Sequence, residues 1–193
     1  MGTKRTSPEA ILDAAEVAFG TDGYSGARLA DIAAAVGIRR PSLLYHFKTK
    51  DALYNAVILR LFESLRQAFT AAFEAGGSFE DRMLRLMSAY LAFLDERPAF
   101  APLVIREILD GHGPGRHLLE TRLVPLLDLI EQWLQQAGGG QIPEGVQIRS
   151  AIMHLGSNAI LHAAAGPLQS PLWGPDGGTL DLARRLLLSA EGD

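Results

Sequence analysis

The chain has 193 residues, 48% of them apolar and 21% charged, with no cysteine and a net charge of −4. That length buries a real core in one domain, or in a small domain fused to a larger one, and the composition is that of a folded chain. Without cysteine there is no disulfide framework and no thiolate zinc site.

The elements read as helices throughout. The opening "MGTKRTSPEA" lacks the apolar centre of a signal peptide. Ser7 then suits an N-cap and Pro8 the first helical position. Ile11, Leu12, Ala15, Ala18 and Phe19 fall on one face, and Gly20 or Gly23 ends this helix. A short second helix, roughly Leu29 to Ala35, is broken by Gly37, and a third starts near Arg40-Pro41 and carries Leu43, Leu44 and Phe47. Residues 51 to 75 hold Leu53, Val57, Leu61, Leu65 and Phe69 at spacings of four. Ser78 with Asp81 forms a capping box, Asp replacing the usual Glu, at the head of a helix through Leu94. Pro98 and Pro102 bracket a turn before "LVIREILDG". "GHGPG" is a loop, and residues 116 to 136 form a helix that Pro125 kinks or restarts. After the loop "AGGGQIPEG" comes a long apolar helix, "VQIRSAIMHLGSNAILHAAAG". His154, Asn158 and His162 keep it short of the roughly 20 apolar residues of a membrane span, so a cytoplasmic location is expected. "PLQSPLWGPDGG" is a third loop and "TLDLARRLLLSA" a last helix. No segment alternates with period two; the fold class is all-α.

Charge is unevenly placed. Residues 1 to 50 hold seven Lys/Arg and five Asp/Glu, and the remainder eleven against seventeen. The acidic total therefore leaves room for a local nucleic-acid surface at the N-terminal end. The second and third helices join through about three residues around Gly37, the spacing of a helix-turn-helix. Glycine supplies a left-handed backbone there, Ala33 is small where the helices cross, and Leu43 closes against Ile32. The outer face of the third helix then carries Arg39, Arg40, Ser42, Tyr45 and His46, donors suited to guanine edges and phosphate oxygens. Lys48 and Lys50 lie just beyond it, and Lys4 and Arg5 form a basic arm before the first helix.

At these residues the chain resembles the TetR family of bacterial transcriptional regulators. The pattern covers about residues 10 to 60: Gly23-Tyr24, "DIA" (Asp31 to Ala33), "VGI" (Val36 to Ile38), "HF" (His46-Phe47) and Lys50 before Leu53. There are two departures. Arg28 stands where the family usually has a capping Thr or Ser that touches phosphate, so the cap is lost or moves. "SLLYHF" replaces "TLYxHF", which puts leucine at 44 and moves the tyrosine to 45, about 100° further round the helix.

The resemblance implies a DNA-binding head, residues 1–50, on a helical ligand-binding and dimerisation domain, residues 51–193. It implies a homodimer paired through the last two helices, which offer Ile148, Ile152, Leu155, Ala159, Ile160 and Ala163, and then Leu180, Leu182, Leu186 and Leu187. It also implies a cavity for a small-molecule effector. Met87, Tyr90, Phe93, Phe100, Val104, Ile108, Trp133 and Met153 are candidates to line it. His154, Asn158 and His162, spaced by fours on one face, either meet that ligand or form a satisfied network at the subunit interface.

Nothing nominates catalysis, a cofactor or a metal. His112 and His117 share a glycine loop without a third ligand at a recognised spacing, and no phosphate-cradling loop or nucleophile elbow is present. The expectation is a ligand-responsive regulator, in the main a repressor of a near-palindromic operator. The alternative is a helical small-molecule-binding protein or enzyme on the same scaffold without operator binding.

Overall fold

A computed structural model describes residues 7–110, 113–174 and 178–188, and every regular element among them is helical. Three short helices come first: α1 (Pro8–Gly26), α2 (Leu29–Ala35) and α3 (Arg40–His46). The Ser7 hydroxyl caps α1 by accepting from the Ala10 amide at 3.3 Å. α1 runs on to Gly26, but Gly23 interrupts it with φ 72° and ψ 176°, as a glycine can.

α4 (Lys50–Glu74) follows with Thr49 as its cap. Its 25 residues extend about 38 Å at 1.5 Å each, so one helix serves both ends of the molecule. Near its start the Tyr54 ring meets Phe19 and Tyr24 edge-on, with centroids 4.9 and 5.1 Å apart. Towards its other end Leu65 and Phe69 are buried in the body.

α5 (Phe79–Glu96) packs on α4 and opens with the expected box. The Ser78 hydroxyl accepts from the Asp81 amide at 3.1 Å, and Asp81 accepts from the Ser78 amide at 3.2 Å. The Ser78 hydroxyl and amide hold the Asp81 carboxyl below its usual range. This part of the cap is therefore present above about pH 4 and fades as pH falls through the lowered value. Ser78→Ala should cost about 1 kcal/mol, read as a lower urea midpoint at constant slope.

In α6 (Phe100–Asp110) Pro102 sits in the first turn, where its missing N–H has no intrahelical partner; it does not bracket the preceding turn. α1 crosses that turn closely. A Cβ on Gly20 would lie 2.7 Å from Ala99 Cβ, a distance only glycine permits.

α7 (Arg116–Leu118) leads through a π-helical turn, Leu119–Leu123, into α8 (Val124–Ala137). Pro125 cannot donate to the Thr121 carbonyl and its ring crowds it; widening the turn relieves both, so the helix neither stops nor restarts cleanly. α9 (Ile148–Ala164) is the long apolar helix. The expected third loop is instead partly ordered, as a 3₁₀ turn at Gly166–Leu168 and α10 (Gln169–Trp173), drawn in by the Trp173 contact described below. α11 (Thr179–Leu187) closes the described chain; the "SA" that follows lies outside the described residues. The buried side chains form one continuous cluster, from Ile11 and Leu43 in the head through Val57 to Leu103, Leu155 and Leu187. Among the described residues no helix is long and apolar enough to cross a membrane.

Candidate nucleic-acid interface and body cavity

The turn between α2 and α3 follows from one residue. Gly37 takes φ 72°, and a Cβ there would meet nothing within 4 Å, so the backbone angle and not crowding demands glycine. With that angle the Gly37 amide donates to Ala34 O and the Ile38 amide to Ala33 O, both at 3.0 Å, which satisfies the last carbonyls of α2. Ile32, Ala33 and Leu43 are at most 1% exposed and form the small core beneath.

That core fixes the phase of α3. Arg39, Arg40, Ser42, Tyr45 and His46 all lie on the exposed side, while Leu43 is fully buried and Phe47 half-buried. Tyr45 is 75% exposed, an unusual position for a large ring. The Lys48 ammonium lies 5.3 Å from that ring and donates to the Tyr45 carbonyl at 3.1 Å. Among the described residues Arg39 and Arg40 have no ion-pair partner. Two of the head's acidic groups are meanwhile drawn away: Arg60 of α4 pairs with Asp13 at 2.6 Å and with Glu16, and Arg97 reaches Glu16 at 3.6 Å. Positive charge at α3 thus faces solvent.

Lys4 and Arg5 lie outside the described residues. Arg28 is exposed at the start of α2 and makes no side-chain cap there, in keeping with the lost Ser/Thr. Lys50 turns back into the protein: its ammonium donates to the Ser25 carbonyl at 3.3 Å and lies 4.7 Å from the Tyr24 ring. Tyr24 in turn donates to Asp51, and this bond, with burial, pushes its hydroxyl up to about 12. Gly23, Tyr24 and Lys50 therefore lock the start of α4 onto the end of α1.

An apolar cavity of about 310 Å³ lies between α4, α5, α6, α8, α9 and α11, open to solvent where Ile108, Leu109, Met153 and Leu161 are exposed. Met87, Tyr90, Phe100, Val104, Ile108 and Met153 line it as expected. Phe93 does not; it is buried against Phe100, centroids 4.9 Å apart. Trp133 packs on Phe73 and Phe79 with the Arg82 guanidinium 5.3 Å from its ring. The polar stripe of α9 misses the cavity too. Trp173 donates to Asn158 at 2.8 Å, Asn158 to Thr179 at 3.3 Å, and the Trp173 ring meets His162 edge-on; His154 is exposed, with Nδ1 2.7 Å from Ser150 O. These groups mainly tie α9 to α10 and α11 within one chain.

The expected pairing stripe is out of phase on α9 and mostly in phase on α11. Leu155, Ala159 and Leu187 are buried in their own chain, and Ile152 and Ile160 line the cavity. On these two helices the exposed apolar side chains are Met153 and Leu161 of α9, which also stand at the mouth of the cavity, and the expected Leu180, Leu182 and Leu186 of α11.

Sequence reading passed over the link between head and cavity. Arg106 of α6 donates to the carbonyls of Phe19, Gly20 and Thr21 at 3.1, 2.8 and 3.0 Å, the carbonyls left open where Gly23 breaks α1. Glu107, only 4% exposed, accepts from the Tyr54 hydroxyl at 2.6 Å and the Gly115 amide at 3.0 Å. Burial and this bond push the Tyr54 hydroxyl up. The adjacent pair in "IREIL" was the one signal available.

Fold and site together define an all-helical protein with an N-terminal helix-turn-helix head carried on a hollow helical body. The family described as "Bacterial regulatory proteins, tetR family" matches residues 11–57. The HTH-type transcriptional regulator RutR of Escherichia coli strain K12 is 42% identical over 55 residues, 28% of this chain and 26% of RutR. The biofilm operon icaADBC negative regulator IcaR of Staphylococcus aureus strain Newman is 29% identical over 87 residues, 45% of this chain and 47% of IcaR. The chain thus spans about a quarter and about half of these relatives. A tetR-family regulatory protein from Rhodococcus RHA1 shares the fold, with TM-score 0.76 and 24% identity over 96% of this chain and 100% of that one. The similarity to the tetR family in sequence thus lies in the N-terminal segment, and the likeness to the Rhodococcus protein is one of fold.

Proposed function

We propose that the chain is a dimeric, ligand-responsive transcriptional regulator, a repressor that holds a near-palindromic operator and releases it when a small molecule fills the body cavity. One observation carries this reading: Tyr45, three-quarters exposed, stands beside unpaired Arg39 and Arg40 on the outer face of a helix-turn-helix. Residues 1–50 form the reading head, with Ser42, His46 and Lys48 as further donors. Residues 51–193 hold the effector and pair with a second copy, through the outward faces of α9 and α11. Two heads then meet half-sites about 34–36 Å apart or at a related spacing. Release is a population shift: the ligand binds the non-gripping form better. α6 suits this role, since Val104 and Ile108 wall the cavity while Arg106 holds α1. In this reading the protein acts in the cytoplasm, and its output is occupancy of DNA and not a reaction.

Fluorescence-anisotropy titration with DNA from upstream of its own coding sequence tests the proposal. Two protomers per duplex are expected, with affinity on the order of 10³-fold above scrambled DNA and falling linearly on a log–log salt plot. Equal affinity for scrambled DNA would favour a ligand-binding protein that does not read an operator.

A further inference from the structure

We infer that the molecule this cavity accepts is uncharged, a largely hydrocarbon compound with one hydrogen-bond acceptor, of the class of medium-chain ketones and esters, held by its acceptor at the Tyr90 hydroxyl. The inference rests on the effector reading above and names the chemistry of that site.

The walls set the charge. None of the residues lining the cavity is acidic, basic or an amide. A carboxylate or ammonium drawn inside, to the depth of Tyr90, would shed its hydration and find no opposite charge. Two side-chain hydroxyls reach the space, and only one is available. Ser157 donates to Met153 O at 2.5 Å, one turn back along its own helix, and so is committed. Tyr90 donates to Gly156 O at 3.4 Å, a long bond readily exchanged for a better acceptor. Burial pushes the Tyr90 hydroxyl up, so it remains a donor throughout the physiological range.

Gly156 shows that the space is kept open. Glycine in mid-helix disfavours the helix relative to alanine, so its presence needs a cause. It has no positive φ, and a Cβ there would meet nothing within 4 Å, so neither backbone angle nor crowding supplies one. Ile152 and Ile160, one turn either side, both line the cavity, which places the absent side chain in the same space. At roughly 20–30 Å³ per non-hydrogen atom, a volume of about 310 Å³ holds on the order of 10–15 atoms.

The test is binding of the neutral fluorophore 1-naphthylamine to the full chain, with displacement by 2-nonanone, nonanoate and nonylamine at pH 7. The ketone should displace it at concentrations at least about 10-fold below either ion. Tyr90→Phe should weaken 2-nonanone about 3- to 10-fold and leave the fluorophore, which brings no carbonyl, unchanged. Gly156→Leu should weaken the fluorophore at least about 10-fold. Gly156→Ala, a better helix former that keeps the fold, should weaken it about 2- to 5-fold. If nonanoate or nonylamine displaces as well as the ketone, the uncharged class is wrong while the effector cavity stands. Failure of the fluorophore to bind at all overturns both, and full affinity in folded Gly156 variants overturns the assigned location.

Discussion

Alanine at both Arg40 and Tyr45 is expected to weaken operator binding at least about 100-fold and to move the thermal midpoint by less than about 2 °C. The two expectations come from the same geometry. A contact to a base edge contributes about 1–3 kcal/mol, so the pair supplies about 2–6 kcal/mol in each head, and 2.7 kcal/mol is already about 100-fold. A dimer loses the pair twice. Neither side chain supports the fold: Tyr45 is 75% exposed and opposite Leu43, and Arg40 is exposed in the first turn of α3. Exposed substitutions of this kind move stability by about 0.5 kcal/mol or less. Titrations at several salt concentrations add a second reading, since each lost phosphate contact flattens the log–log slope by about one. Arg66→Ala is the control. Arg66 is exposed and bonded to Glu63 on α4, well away from α3 in the chain, and should leave affinity within about twofold. An equal loss in that control would reduce the result to general charge, and unchanged affinity in the double variant would remove α3 from the interface.

The head was legible because its determinants are local. Gly37, Ser7 and the phase set by Ile32 and Leu43 each act over a short stretch of chain. The body was legible only in outline. Pro125 announces a disturbance in its helix, but whether the helix ends or widens depends on what packs around Leu119–Leu123. α10 has no strong periodic signal; its order comes with a tertiary bond from Trp173 to Asn158. The polar stripe of α9 was visible as a stripe, yet what faced it was another part of the same chain, contributed 15 to 21 residues later. Lys50 shows the limit of reading charge from sequence: a cation beside a recognition helix is bound inward because Ser25 and Tyr24 lie under it. Arg106 and Glu107 were passed over because their partners lie far away in the chain, at Phe19 to Thr21 and at Tyr54.

That distant pair carries the largest expected effect on stability. Glu107→Ala should cost about 3 kcal/mol and lower the thermal midpoint by about 6–12 °C in a chain of this size. The carboxylate is 4% exposed and accepts from two donors, the Tyr54 hydroxyl and the Gly115 amide; leaving each unpaired and buried costs about 1–3 kcal/mol. Bonded pairs leave a signature in double variants. Tyr54→Phe alone should cost about 1 kcal/mol, and adding it to Glu107→Ala should cost less than the sum, because no orphan hydroxyl then remains. Strict additivity in urea unfolding would show that the two groups do not act together. The same variant reaches function through α6. Glu107 anchors that helix to α4 beside Arg106, which holds the open end of α1, while Val104 and Ile108 wall the cavity. Loosening this anchor should leave fluorophore binding largely intact and shrink the effector's influence on DNA affinity, since a ligand shifts the head only as far as α6 transmits its preference between the two forms.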